Sequence, residues 1–365
     1  MKLDELYTDK QLIYNSPISD ICKAKPKDAS SSSSSSASSY VCLKIVDVDF
    51  KIPPHSIRRE IAVIKALQDH DGIVKYIGDF QIFEDVVLVM DYYPFNLNQL
   101  MMSQKYCRKR TRYNLDGDGD EGSSQLSYTL SNTIPQSQVK QFLTRLISAI
   151  RFIHSNNIIH RDLKPSNILF INDDITHPVV ADFGICYNLL DPPDDEPLMQ
   201  KYTDVCTGIY KSPELLLGIT NYSFEADIWS AAIILTILYS PNFKSILIRE
   251  DGGGGSGSGS GSGGGDDDGE EMNNESSISD LHLLSCIFKV FGTPVYDKSE
   301  AETDEDKQQL YWPELDNDEL HFKKFNLKRF KRMSLAKIIP RCDDEEVKSL
   351  FQNMTQYDRK KRSLE

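Results

Sequence analysis

No glycine precedes Gly72. That excludes from the first 71 residues any turn resting on glycine, above all a glycine-rich loop of the kind that lets backbone approach phosphates. No two of the seven cysteines (Cys22, Cys42, Cys107, Cys186, Cys206, Cys286 and Cys342) form a Cys-x-x-Cys pair. Their odd number and wide scatter argue against a disulfide framework and a zinc site, and point to a reducing compartment. No apolar run reaches the roughly 20 residues that span a bilayer. The longest, Ile228 to Tyr239, follows Asp227 and reads as a buried helix. Met1 to Lys10 is polar and lacks the apolar core of a secretory signal. Basic charge is in deficit as well: 41 Lys and Arg stand against 55 Asp and Glu, a net charge of -14, which argues against a nucleic-acid-binding body. The expectation is a chain with no membrane and no nucleic-acid partner, placed in the cytoplasm.

Enough apolar residues are present, 39% of 365, to bury the core of one two-lobed domain or two small ones. Three stretches stand apart by composition. Ser30 to Ser39 is a serine tract. Gln104 to Gln136 joins a basic run (Arg108, Lys109, Arg110, Arg112) to an acidic glycine run (Asp116 to Gly122). Pro241 to Ser279 carries the Gly/Ser repeat Gly252 to Gly265, which reads equally as a linker or as natural low complexity. Such compositions bury too little apolar surface to offset chain entropy, so 104–136 and 241–279 read as flexible insertions. The basic run reads as a solvated loop or a nuclear signal.

Between these stretches the periodicity is legible. Tyr40 to Val46 and Asp85 to Met90 read as strands. Ile57, Ile61, Ile64 and Leu67 repeat at helical spacing after Pro53-Pro54, and Val139, Phe142, Leu143, Leu146, Ile147, Ile150 and Ile153 mark a long helix. Strands first and helices later give an α+β fold: a small β-rich lobe over residues 1–90 and a larger α-helical lobe over 91–365.

The long helix runs into His160-Arg161-Asp162-Leu163-Lys164-Pro165-Ser166-Asn167. Asp182-Phe183-Gly184 begins fifteen residues after Asn167, and Ser212-Pro213-Glu214 closes the segment. This ordered set resembles the eukaryotic protein kinases, and the likeness covers nearly the whole chain. It implies a bilobal fold and transfer of phosphate from ATP with Mg²⁺, chemistry that needs positioning and charge neutralisation more than covalent help. Asp162 is then the base that orients the attacking hydroxyl. Lys164 reaches the transferring phosphoryl group and marks a Ser/Thr enzyme. Asn167 and Asp182 offer the oxygens Mg²⁺ prefers. Lys44, in Val41-Cys42-Leu43-Lys44, holds the α- and β-phosphates with Glu60 as its ion-pair partner. Met90, Asp91, Tyr92 and Tyr93 form the hinge that reads adenine. Asp227 braces the catalytic loop, and Arg362 pairs with Glu214. The family's glycine loop is missing: Tyr14, Ser16 and Ser19 stand at its glycine positions, with Tyr14 adding bulk.

Cys286-Ile287-Phe288-Lys289-Val290-Phe291-Gly292-Thr293-Pro294 and Trp312-Pro313-Glu314-Leu315 resemble the cyclin-dependent kinase group. Pro54-His55-Ser56-Ile57-Arg58-Arg59-Glu60 parallels its cyclin-binding helix without matching it. Thr207-Gly208-Ile209-Tyr210-Lys211 departs from the proline-directed members, with Lys211 replacing an Arg. Together with Phe50-Lys51-Ile52-Pro53-Pro54-His55, Asp182-Phe183-Gly184-Ile185-Cys186-Tyr187 and the glycine-free loop, this resembles the monomeric cyclin-dependent-kinase-activating kinases of budding yeasts. The resemblance implies a monomer with no cyclin of its own. Its protein substrate is a cyclin-dependent kinase, modified on the activation-segment threonine. Within its own segment Thr203 is the obvious acceptor, with Arg161 placed to pair with a phosphate and Asp204 or Asp194 to Glu196 able to supply charge instead. An ordinary cyclin-dependent kinase and a catalytically silent scaffold are the alternatives.

Overall fold

A computed structural model describes residues 3–27, 40–49, 52–113, 126–248, 278–302, 305–317, 320, 322 and 327–365. The N-terminal part is an antiparallel sheet of five strands: β1 (Tyr7–Asn15), β2 (Asp20–Pro26), β3 (Val41–Asp47), β4 (Tyr76–Ile82) and β5 (Asp85–Asp91), in the order β1-β2-β3-β5-β4. Alternation along β3 sends its residues to two faces. Val41 and Leu43 join Ala24, Val87 and Val89 in a small cluster on one face. Val46 belongs with Leu88 and Met90 to the main core on the other, under helix α1 (Ile57–Ala66). Ser56 caps that helix by accepting the Arg59 N–H at 3.3 Å, and Ile57, Ile61 and Ile64 are buried as the periodicity requires.

The larger part is helical. Helix α2 (Gln136–Ser155) buries Val139, Phe142, Leu143, Leu146, Ile147, Ile150 and Ile153 along one stripe. Helix α3 (Glu225–Leu238) is buried from Ala226 to Leu238, with no polar face. An apolar helix of 14 residues with Asp227 in its first turn is a core post, and no helix among the described residues is long and apolar enough to cross a membrane. Helices α4 (Asp280–Phe291) and α5 (Glu345–Met354) pack around it, with Trp229 against Phe291 and Tyr357. The protein kinase fold expected from the sequence is the one observed.

The two insertions are narrower than composition suggests. Residues 107–113 and 126–132 form an antiparallel hairpin, β6 (Cys107–Tyr113) and β7 (Leu126–Asn132), in unbroken register. Its root is fixed: the Asn132 side chain donates to Leu238 O and Ser240 O, both at 2.8 Å, and accepts from Ile134 N, while Tyr106 and Ile134 are buried. Past Pro241, Phe243 and Leu247 are buried as well. Averaging composition over the whole stretch hid these anchors. The serine tract, the acidic glycine run and the Gly/Ser repeat lie outside the described residues.

Candidate active site

The catalytic loop stands on α3. The buried Asp227 carboxylate accepts the N–H of His160 and of Arg161, each at 2.8 Å, and lies 2.9 Å from His154 Nε2. Arg161 has φ +68°, a region costly for a long side chain, so these bonds hold a strained residue directly before Asp162. Burial alone would raise the Asp227 carboxyl; the His154 ring and the His160 N–H more than reverse this and leave it below the ordinary carboxylate range. His160 Nε2 lies 3.0 Å from Ala181 O, and its ring packs 4.8 Å from that of Phe183, which seats the Asp182-Phe183-Gly184 turn.

Around Asp162 three polar groups converge. Lys164 Nζ lies 2.8 Å from one carboxylate oxygen. Thr207 Oγ1 donates to the other at 2.7 Å and accepts from Lys164 Nζ at 2.7 Å. Asn167 Nδ2 donates to Asp162 O and Oδ2 at 2.9 and 3.1 Å, which leaves its amide oxygen outside these bonds. Burial works against the Lys164 charge, but the Asp162 carboxylate outweighs it and holds the ammonium above its usual range.

Lys44 joins the two lobes. Its Nζ donates to Glu60 Oε1 at 2.9 Å and to Asp182 Oδ1 at 2.8 Å. Glu60 is 1% exposed and the Asp182 side chain 45%, so one ammonium bridges a buried carboxylate and one open to solvent. Burial opposes ionisation of Asp182, yet the adjacent Lys44 keeps its carboxyl far below the ordinary range. Helix α1 is tied to the same turn, for Ser56 N donates to Gly184 O at 3.0 Å. A side chain at residue 184 would meet Asp182 Oδ1 at 3.3 Å and Lys44 Nζ at 3.4 Å, so glycine keeps this cradle open.

The residues fit ATP with Mg²⁺. Among the described residues no group of three or more His, Cys, Asp or Glu could hold a metal alone. That suits Mg²⁺, which takes one or two protein oxygens and fills the rest of its shell with water and substrate phosphates. Asp182 and Asn167 would hold it, and when bound it supplies neutralisation of phosphate charge.

At the hinge, Met90 is buried at the end of β5, opposite Cys42 of β3. The Asp91 N–H donates to Lys75 O at 3.0 Å, so this one hinge donor is engaged within the protein. Tyr92 lies under Lys23, 4.6 Å from ammonium to ring centre, and burial pushes the Tyr93 hydroxyl up to about 12. Tyr14 pairs with Ile21, and Ile21 with Lys44, which puts the Tyr14 ring on the Lys44 face of the sheet, 62% exposed. Glu214 and Arg362, far apart in sequence, form a two-pronged pair at 2.6 and 3.1 Å with both side chains fully buried.

Two residues carry more than sequence reasoning assigned them. Thr207 appeared there only as the first residue of the motif Thr207-Gly208-Ile209-Tyr210-Lys211. Glu196 was one of several acidic candidates, and it is the one that reaches Arg161, with Nη2 to Oε2 at 3.2 Å and a second contact from Nη1 to Oε1. Arg161 also donates to Ile185 O and to the Tyr222 hydroxyl, so the expected pairing with a phosphate on Thr203 would have to displace a buried carboxylate. Asp204 goes elsewhere: it lies 3.6 Å from Lys211, whose ammonium also reaches Asp280 at the start of α4 at 2.9 Å.

A protein kinase domain model matches residues 30–246. The serine/threonine-protein kinase CAK1 of Saccharomyces cerevisiae is 29% identical over 281 residues, covering 72% of this chain and 71% of that protein. Cyclin-dependent kinase E-1 of Arabidopsis thaliana is 29% identical over 68% of this chain and 43% of its own length. Cyclin-dependent kinase 2 of Caenorhabditis elegans is 30% identical over 51% and 42%. The match over more than half of the chain, on a fold that closes Lys44, Glu60, Asp162, Asn167 and Asp182 into one cleft, makes the chain a member of the protein kinase family, a Ser/Thr kinase related to the cyclin-dependent kinases.

Proposed function

We propose that this kinase phosphorylates the activation-segment threonine of cyclin-dependent kinases and works as a monomer with no cyclin of its own. The observation that carries this reading is that one chain already closes both alignments a partner or a phosphate would otherwise supply. Glu60 is docked on Lys44, and Glu196 is docked on Arg161. The motif resemblance to the yeast activating kinases and the likeness to a yeast Ser/Thr kinase support the substrate class. So does Lys211, whose single ammonium, drawn to Asp280 and Asp204, cannot reproduce the planar fork of the Arg found in proline-directed relatives. The residue after the acceptor is then not selected to be proline.

The test is to incubate the pure chain with ATP, Mg²⁺ and a catalytically dead cyclin-dependent kinase, map the modified residue, and screen a peptide library in parallel. Modification of the activation-segment threonine without added cyclin is the expected result. Strong enrichment of proline directly after the acceptor, or activity only on adding a cyclin, restores an ordinary cyclin-dependent kinase. No turnover at all leaves a scaffold.

A further inference from the structure

The glycine-free loop between β1 and β2 is closed on itself by one hydroxyl. Asn15 pairs with Asp20 at the neck, with Asn15 Nδ2 donating to Asp20 Oδ1 at 2.5 Å. Within the turn, Ser16 N donates to Ser19 O at 3.0 Å. Ser16 Oγ accepts the N–H of Ile18 at 3.3 Å and of Ser19 at 3.0 Å, and donates to Ser19 O at 3.1 Å. Pro17 follows Ser16 in the second turn position, where its fixed φ suits the bend. Ile18, at the tip, lines a cavity of about 220 Å³ together with Lys44, Glu60 and Gly184. The tip therefore borders the same cavity as Lys44.

A glycine loop reaches phosphates through freely oriented backbone N–H groups, and has to be ordered each time nucleotide binds. Here the two N–H groups at the tip already have an acceptor inside the protein. We propose that Ser16 is a positioning residue that stands in for the missing glycines. Its hydroxyl folds the lid tip in advance, so that the lid roofs the triphosphate as a finished turn while Lys44 and the metal-holding oxygens of Asn167 and Asp182 carry the phosphate charge. This rests on membership of the kinase family alone and is independent of which protein is the substrate.

The lid covers phosphates and not the purine, so its contribution separates by ligand. The test compares the whole chain with Ser16→Ala and Ser16→Thr for affinity toward ATP·Mg²⁺ and toward adenosine, for KM and kcat with ATP, and for melting temperature. Ser16→Ala is expected to weaken ATP binding by about three- to tenfold, the scale of one hydrogen bond of ordinary net strength. Adenosine affinity and melting temperature stay put, KM for ATP rises more than kcat falls, and Ser16→Thr, which keeps the hydroxyl, restores the parent values. Tighter ATP binding in Ser16→Ala overturns the proposal, because the hydroxyl would then be competing with phosphate for the same donors. Unchanged ATP affinity overturns it too, as does an equal loss for adenosine, which marks a general structural defect.

Discussion

Glu196 grips both terminal nitrogens of Arg161, and its Oε1 also accepts the Tyr202 N–H at 2.9 Å. One carboxylate thus fixes the residue before Asp162 and the segment that leads to Thr207. The expected consequence is an enzyme that needs no phosphate on its own segment. Glu196→Gln keeps the shape and removes the charge, and kcat should fall by tenfold or more, the scale of a buried charge-assisted bond of about 1.5–3 kcal/mol. Thr203→Ala, made in bacteria, should retain activity within about twofold. Initial rates on both variants decide it; an inactive Thr203→Ala beside a healthy Glu196→Gln would reverse the assignment.

Asp162→Asn should leave the fold and ATP affinity near parent values while phosphoryl transfer drops by about 10²- to 10⁴-fold, the usual worth of a positioned base. The amide keeps one oxygen for Thr207 but loses the charge that holds Lys164 at 2.8 Å. Single-turnover rates at saturating ATP make the measurement, and turnover near the parent rate removes Asp162 from that role.

Arg362→Ala should cost about 3–5 kcal/mol of stability, because it strands the Glu214 carboxylate in a site where both side chains are 0% exposed. Denaturant unfolding reads this directly. A loss under about 1 kcal/mol would mean that water reaches Glu214.

The acid sensitivity of the catalytic loop has a defined sign. The folded-state carboxyl of Asp227 lies below its ordinary 3.8, so its stabilising contribution is complete above that value and is lost only as pH falls through the lower folded one. The stability gap between the parent and Asp227→Asn should therefore hold constant from about pH 8 to pH 5 and narrow only below about pH 4. A gap that closes between pH 7 and pH 5 would point to a histidine, not to Asp227.

Much of this was legible before any fold was known, for identifiable reasons. Helix α1 and helix α2 announce themselves because one stripe of each is apolar and the other is not. The catalytic motifs are contiguous, so Asp162, Lys164 and Asn167 arrive together. The grip of Glu196 on Arg161 is set by a long irregular segment whose path no periodicity encodes, and Asp194, Asp195 and Glu196 are indistinguishable as letters. The strands at 107–113 and 126–132 were missed because the first is a basic run without apolar alternation, and the alternation of Leu126, Tyr128 and Leu130 in the second was averaged into the polar composition of the whole stretch. The buried root of their hairpin rests on one asparagine and two carbonyls. The serine-closed lid could be guessed only as an absence of glycine; which oxygen replaces the missing freedom is a matter of turn geometry.

Helix α3 separates two kinds of change. Its first turn holds the catalytic loop through Asp227, and its last carbonyls, near Leu238 and Ser240, hold the root of the hairpin through Asn132. One compositional insertion joins the two strands of the hairpin rooted at that second end, and the other follows Leu247. Fourteen residues of helix put about 21 Å of rigid post between the two ends. Length and sequence can thus drift in those segments, or a tag or reporter domain be spliced into them, with the strain absorbed where no reacting group is listening.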